Sequence, residues 1–253
     1  VGLTAGILIY LYVSFELSND NFHSKADRIY RVVADIKTPT EVIKAGGPSW
    51  AVPHHVKLEF PEVEQSVRVA GDDNLLIRKG EVKYMEENVM WADSGFFKMF
   101  DFKLIKGDPV KALTEPFSIV FTESAVKKYF GKEDPIGQSV LITGEGRPAK
   151  VTGIMKDIPE NSQIKGDMVL SMSTITREWN KNLDNQFGNY GAQAYLMLKP
   201  GTDPKAFEKK LPAFLERRDG KEMKESQMFA TLFLEPMRDV YLYTTRNGSS
   251  TGN

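Results

Sequence analysis

Cysteine is absent from the 253 residues of this sequence. Its absence excludes thiol catalysis, disulfide bonds and zinc sites built from thiolates. The phosphate-binding pattern G-x-x-x-x-G-K-[ST] is also missing, because Gly131-Lys132 is followed by Glu133 and Gly137 by Gln138. The G-x-S-x-G motif of serine hydrolases does not occur either. The sequence therefore predicts neither a nucleotide-binding loop nor a nucleophile elbow.

An excess of positive charge is missing too. The 33 lysines and arginines are balanced by 34 aspartates and glutamates. Because no strongly basic surface is required, we expect no nucleic-acid partner. Apolar residues at 41% and charged residues at 26% are typical of a folded chain and exclude extensive disorder.

Histidine is scarce, with His23, His54 and His55 as its three occurrences. On a helix the adjacent His54 and His55 point about 100° apart, so they cannot share a metal ion without further ligands. Acidic pairs such as Glu86-Glu87 and Asp72-Asp73 are typical of solvated turns, although carboxylate pairs can also perform acid-base chemistry. We expect no catalytic residue, no cofactor and no metal.

The chain begins with an uncharged apolar run, Val1 to Phe15. Its composition is typical of a helix that faces lipid. At 1.5 Å per residue the run reaches about 22 Å, short of the roughly 30 Å hydrocarbon core. We interpret residues 1–20 as the C-terminal part of a first transmembrane helix; a signal-peptide core and a buried amphipathic helix are the alternatives. The predicted membrane-anchor residues are Leu3, Ile7, Leu8, Ile9, Leu11, Val13 and Phe15.

Two strand-helix-strand units are predicted C-terminal to this apolar run. In residues 29–70, a strand with one buried face precedes a helix carrying Val52, Val56 and Phe60 at i, i+4 and i+8. In residues 192–234, a strand precedes a helix that begins at Asp203-Pro204, and a closing strand comes after it. Pro212 predicts a kink or an early end to that second helix. The charged stretch 216–225 is predicted to be a solvated surface segment.

The region between these units is rich in short strands and turns. A hairpin is predicted around Lys79-Gly80-Glu81, with its second strand running from Val82 to Trp91. Thr122 is predicted to cap a short helix that ends at Gly131. An aromatic cluster either packs in a core or lines a ligand groove; it comprises Phe96, Phe97, Phe100 and Phe102. The predicted fold is α+β, with one lobe (residues 28–70 and 167–244) interrupted by a second, strand-rich lobe (residues 71–166).

An ordered set of motifs resembles the MacB-like periplasmic core domain of ABC-transporter permeases of the FtsX/MacB type. The most extensive piece is Phe117–Ala125 followed by Tyr129–Gly137, which reads FSIVFTESA and YFGKEDPIG. The further pieces are Asn21-Phe22-His23, Asp27–Val32, Phe60–Val63 and Val151–Ser162. No single piece is specific, but the ordered set covers most of the chain.

This resemblance implies a permease of the inner membrane with four membrane helices per protomer. The large periplasmic domain, with a porter-like first lobe, would lie between the first and second helices, and residues 245–253 would form a polar linker to the second. The implied partners are a cytoplasmic ATP-binding cassette subunit, a second permease copy in a homo- or heterodimer, and a periplasmic protein. ATP-driven conformational change would be transmitted across the membrane to act on cargo, which the sequence leaves open among efflux, lipoprotein handling and control of cell-wall hydrolases.

Two other functional classes remain open on the residues alone. A membrane-anchored sensor ectodomain that binds a ligand would be followed by a linker and signalling helices. An anchored hydrolase is disfavoured, since no catalytic constellation is visible in the sequence.

Overall fold

The computed structural model describes residues 2–72 and 74–246. The predicted linker (residues 245–253) lies outside the described residues from position 247 onward, and Asp73 of the acidic pair also lies outside them. The helices are α1 (Gly2–Glu16), α2 (Ala51–Glu59), α3 (Phe96–Met99), α4 (Glu123–Phe130), α5 (Pro204–Glu208), α6 (Leu211–Ser226) and α7 (Met237–Tyr243).

All strands of the described chain join one thirteen-stranded sheet. They are β1 (Ile29–Lys37), β2 (Val42–Ala45), β3 (Val63–Asp72), β4 (Leu75–Lys79), β5 (Val82–Glu86), β6 (Val89–Ala92), β7 (Leu104–Gly107), β8 (Ser118–Thr122), β9 (Ser139–Ile142), β10 (Arg147–Met155), β11 (Met168–Ser171), β12 (Gln193–Leu198) and β13 (Phe229–Pro236). The order is β13-β1-β12-β3-β6-β11-β8-β10-β9-β4-β5, with β2 beside β1 and β7 beside β10.

The strands of the two predicted strand-helix-strand units interleave at one end of this sheet. β13, β1, β12 and β3 are neighbours and pair antiparallel. On one face, apolar side chains of these strands, such as Val32 and Leu196, pack against α2, α5 and α6, which contribute Val56, Phe207 and Phe214. The predicted α+β class is therefore confirmed.

The opposite face of the same strands is covered as well. Ile29, Tyr195 and Met197 pack there against Phe96 and Phe100, so the aromatic cluster belongs to the core. The prediction that β1 has one buried face is wrong: Arg31 and Val33, on its other face, are both 0% exposed. A strand that is covered on both faces usually lacks the polar-apolar alternation of a strand with one solvent-exposed face. In β1 the buried Arg31 produces such an alternation in the sequence, although the residue is not exposed.

Two further expectations are corrected by the structure. β2 intervenes between the first strand and helix α2. The stretch from Val82 to Trp91 forms two strands, because β6 leaves the hairpin to pair with β3 and β11. The charged stretch 216–225 lies mostly at the surface, as predicted, and it is helical, as part of α6.

The predicted helix boundaries are confirmed. The hydroxyl of Thr122 accepts a hydrogen bond from the backbone N–H of Ala125 at 3.2 Å and caps α4. Asp203 caps α5 in the same manner, with Pro204 in the first turn. The helix then breaks, and α6 restarts with Pro212 in its own first turn, where the missing N–H costs no intrahelical bond. The division into lobes 28–70 plus 167–244 and 71–166 stays a prediction; the sheet runs across it without interruption.

Candidate functional site

Helix α1 exposes nearly its whole surface. The seven predicted anchor residues all lie on it and are 45–81% exposed. No cluster of the core includes any of them. Within residues 2–72 and 74–246, none of the helices combines the length and apolar character that a membrane crossing requires.

The connection that comes after α1 is partly buried and makes hydrogen bonds to distant segments of the chain. Asp20 is 1% exposed and adopts φ of 55°, a left-handed conformation that non-glycine residues rarely take. Its carboxylate accepts from the hydroxyl of Ser162 at 3.1 Å and from the backbone N–H of Gln163 at 3.2 Å, while its own N–H donates to the carbonyl of Asn161 at 2.9 Å. The amide of Asn161 in turn donates to the carbonyl of Ser18. This loop therefore forms a socket that holds the end of α1.

Burial shifts the proton affinity of two groups in this connection. It raises the pKa of Asp20, although hydrogen bonds from Gln163 and Ser162 act in the opposite direction. Burial also lowers the pKa of His23, which is 0% exposed, to about 4. The Nδ1 atom of His23 accepts a hydrogen bond from the backbone N–H of Asp101 at 3.0 Å, and its Nε2 atom lies 3.8 Å from Asp20. His23 is therefore neutral at pH 7.

Helix α7, close to the other end of the described chain, meets the same connection. The guanidinium of Arg238 donates to Asp27 at 2.9 Å and also to Asn21. The hydroxyl of Tyr241 hydrogen-bonds the Glu16 carboxylate, which raises the pKa of Tyr241. We call the contact formed by residues 16–28, 161–163 and 237–246 the terminal junction.

A buried ion-pair network ties the terminal junction to the sheet. Arg31 is 0% exposed and donates to Glu235 at 2.6 Å and to the hydroxyl of Thr244 at 2.6 Å. Glu235 also accepts from Arg246 at 3.2 Å, and Arg246 pairs in addition with Asp35. Charges that have left water require partners of this kind, because an unpaired buried charge costs several kcal/mol.

The terminal junction joins segments that are far apart in the sequence. Among the described residues, no three histidine or acidic side chains are grouped as metal ligands. His54 is exposed, while His55 bonds Asn185 at 3.2 Å and stacks on Phe187. The junction holds helix, sheet and C-terminal segment with long-range hydrogen bonds, such as those of Asp20 to Ser162 and of Arg31 to Thr244, whose partners are 142 and 213 residues apart in sequence.

Sequence reasoning did not identify Asp20, Arg31, Glu235 or Arg246. One signal was present: the otherwise apolar strand Ile29–Ile36 carries two charges, Arg31 and Asp35, and the closing strand carries a single acid, Glu235. A charge in an otherwise apolar strand needs a counter-charge on a neighbouring strand.

The fold is shared with extracytoplasmic domains of membrane permeases. A domain of a protein described as a permease, from Porphyromonas gingivalis, is 24% identical, with 85% of this chain and 91% of that chain covered and a TM-score of 0.74. The periplasmic region of MacB from Actinobacillus actinomycetemcomitans is 14% identical over 84% of this chain and 90% of that one, with a TM-score of 0.55. The extracellular domain of the noncanonic ABC-type transporter YknZ from Gram-positive bacteria is 14% identical over 81% of this chain and 98% of that one, with a TM-score of 0.53.

The chain belongs to the MacB-like periplasmic core domain family, whose model matches residues 1–214. No curated protein matches the sequence. Domains of this family are parts of ABC-transporter permeases, which pair with an ATP-binding subunit and are not themselves catalytic. The resemblance identified from the motif set is thereby confirmed.

Proposed function

We propose that this chain is the periplasmic domain of an inner-membrane permease and that it transmits ATP-driven movement across the membrane. The observation that carries the proposal is the terminal junction: an exposed apolar helix enters the domain through a connection in which Asp20 and His23 are buried and hydrogen-bonded to distant segments. A flexible linker would absorb a displacement of α1, whereas this connection passes the displacement to β1 and β13.

Membrane contact is the second part of the proposal. The seven anchor residues of α1 are apolar and exposed, and their burial in lipid would remove that surface from water at a gain of roughly 25 cal/mol per Å². Helix α1 (Gly2–Glu16) is then the part of the described chain that contacts lipid, and residues 17–20, which are not helical, connect it to the domain. The permease acts as a homo- or heterodimer beside a cytoplasmic ATP-binding cassette subunit, and its periplasmic domains move cargo or engage a periplasmic partner.

The test interrupts the connection between α1 and the domain. The complete permease is reconstituted with its ATP-binding subunit in nanodiscs, and a spin label is placed at Lys83→Cys, on the exposed strand β5. We expect the distance between labels on the two copies to change when ATP is bound. A Gly-Ser-Gly-Ser insertion between Leu17 and Ser18 is expected to abolish this change while ATP hydrolysis persists.

The matched control carries the same insertion between Gly144 and Glu145, in the exposed turn that joins β9 to β10. This control should retain the nucleotide-dependent change in distance. The proposal would be contradicted if the distance between the two labels did not change on ATP binding in the unaltered permease. It would also be contradicted if the same change persisted after the insertion between Leu17 and Ser18.

A further inference from the structure

A cleft of about 590 Å³ opens on the sheet. One wall is formed by β2 and Gly46-Gly47, and the other by residues 69–71 of β3 and the start of β6. The chain segment 190–193 and the loop 163–165 close its remaining sides. Its volume lies within the range of roughly 300–1,000 Å³ that is usual for ligand sites.

Two open strand edges face this cleft. β2 pairs with β1 on one side, and within the described chain no strand pairs with its other side. The first residue of β12, Gln193, lies opposite Val69 of β3. Residues Ala70–Asp72 of β3 therefore pair with β6 but have no strand partner on the β12 side. The sheet therefore has a slot between β2 and β3.

An open strand edge presents a row of backbone N–H and C=O groups that are not paired with another strand. In an antiparallel pair, the N–H and C=O groups of alternate residues point away from the paired strand. Two of the four β2 residues thus direct both backbone groups away from β1 and towards the cleft side. Such edges are templates for an additional strand.

The lining suits an extended chain at close range. Glycines line the cleft at positions 46, 47, 71 and 191, but Gly47 packs against the backbone of Ala192 and Gly191 against the ring of Trp50, so the approach of a second backbone is open at Gly71. A Cβ atom at Gly71 would meet nothing within 4 Å, so the space in front of this residue is open. The apolar part of the lining is Ile43, Val69, Val89, Met90 and Ile164.

The charge at the rim distinguishes between ligands. Glu87 lines the cleft, is exposed, and forms no hydrogen bond or ion pair with any described residue. Lys165, on the opposite loop, is also exposed and keeps its positive charge while it donates to the carbonyl of Glu160, so the two sides of the rim differ in sign. The free carboxylate favours a ligand that brings a positive charge to the β6 side of the cleft.

We propose that this cleft binds an extended segment of a partner protein, which adds a strand between β2 and β3 and places a basic side chain beside Glu87. The segment is about four residues long, which at about 3.3 Å per residue spans about 13 Å. The site is separate from the proposed movement of the domain and stands without it. The loop 161–165 contributes both to the cleft and to the socket of Asp20, so an occupied cleft lies against the terminal junction.

The experiment measures binding of a labelled probe peptide, acetyl-Val-Lys-Val-Lys-Val-amide, to the detergent-solubilised full-length permease by fluorescence anisotropy. Gly71→Val fills the open space and is expected to weaken binding at least about tenfold. Because valine favours strands, this variant should fold, and its thermal unfolding is recorded as a check. The matched control is Gly144→Val, in a turn outside the cleft where a Cβ atom also meets nothing within 4 Å; it should bind the probe as the unaltered protein does.

Two further arms separate backbone pairing from charge. A probe with N-methylated backbone nitrogens keeps its side chains but cannot donate hydrogen bonds, and it is expected to lose binding. Glu87→Gln is expected to weaken binding about threefold to tenfold, whereas Glu81→Gln, in the β4–β5 turn, should have no effect.

Three results would overturn the proposal. Binding of the N-methylated probe as tightly as the parent would exclude strand addition. Unchanged affinity in both Gly71→Val and Glu87→Gln would place the probe elsewhere. Failure of the parent probe to bind at millimolar concentration would exclude a basic extended segment as the ligand.

Discussion

At the scale of single residues, His23 makes folding sensitive to acid. Its pKa is about 4 in the folded protein, against an ordinary value of 6.5. The unfolded chain therefore binds a proton more readily, and the stabilising effect of the neutral ring is complete above pH 6.5 and disappears as the pH falls towards 4. The loss amounts to about 3 kcal/mol over this interval. Asp20, whose pKa is raised by burial, opposes this trend because its proton is favoured in the folded state.

Replacing His23 should remove this sensitivity. His23→Asn retains an acceptor for the backbone N–H of Asp101 but loses contact with Phe100 and Phe102, at a cost of roughly 2 kcal/mol at pH 7. We expect its disadvantage relative to the unaltered protein to shrink as the pH falls from 6.5 to 4, in urea unfolding followed by tryptophan fluorescence. His54→Asn, at an exposed position of α2, serves as the control. Parallel curves for His23→Asn and the unaltered protein would contradict the assignment.

Arg68 is a second residue whose contribution to the free energy of unfolding depends on its burial. It is 5% exposed and donates to both oxygens of Asp93 at 2.9 Å, to Asp184 and to the carbonyl of Trp50. Burial works against its charge, but the two carboxylates outweigh burial and raise the pKa of Arg68. Arg68→Ala should lower the free energy of unfolding by about 3 kcal/mol, since it leaves two partly buried carboxylates without a partner.

The comparison for Arg68 is an ion pair in water. Arg147 pairs with Glu145 at 3.2 Å, and their side chains are 58% and 76% exposed. Arg147→Ala is expected to change stability by less than about 0.5 kcal/mol in the same urea titration. Equal losses for the two variants would show that burial is not what distinguishes the pairs.

At the scale of elements, capping residues in the sequence correctly predicted where helices begin. The cap of α4 was visible in the sequence because a threonine hydroxyl satisfies an N–H group three residues later. Thr122→Ala should therefore cost about 1 kcal/mol, and Thr122→Ser, which keeps the hydroxyl, should cost little. Thermal unfolding of both variants provides the measurement. A serine variant as unstable as the alanine variant would mean that the methyl group, buried at 1% exposure, matters more than the cap.

The elements that the sequence did not predict depend on partners far away. β2 is a four-residue strand with exposed Val42 and Ile43, and only its pairing with the second half of β1 makes it a strand. The stretch from Val82 to Trp91 reads as one strand because its pattern is continuous, yet Glu87 and Asn88 separate a hairpin strand from one that pairs with β3 and β11. The periodicity of a sequence identifies a strand but not the strands that pair with it. Pairing with other strands determined both the formation of β2 and the division of residues 82–91 into two strands.

At the scale of the whole molecule, the α+β class was predictable from repeated strand-helix-strand units, whereas the terminal junction was not. Asp20 meets Ser162, and Arg31 meets Glu235, across 142 and 204 residues of sequence. No local pattern encodes such contacts. The sequence indicated that the apolar helix leads into the domain; the three-dimensional arrangement places the C-terminal helix against that entry point.

This arrangement predicts that the two ends of the described chain lose protection together. Glu235→Gln removes the charge that Arg31, Thr244 and Arg246 share, and leaves Arg31 at 0% exposure with a neutral partner. We expect amide hydrogen exchange to accelerate in β1, β13 and α7, with little change in β4, β5 and β9 at the far end of the sheet. Glu225→Gln, which affects a pair whose side chains are 90% and 60% exposed, should leave the exchange pattern unaltered. Faster exchange spread evenly over the sheet would mean that Glu235 supports global stability alone, whereas acceleration confined to β1, β13 and α7 identifies the network as the element that binds the chain ends to each other.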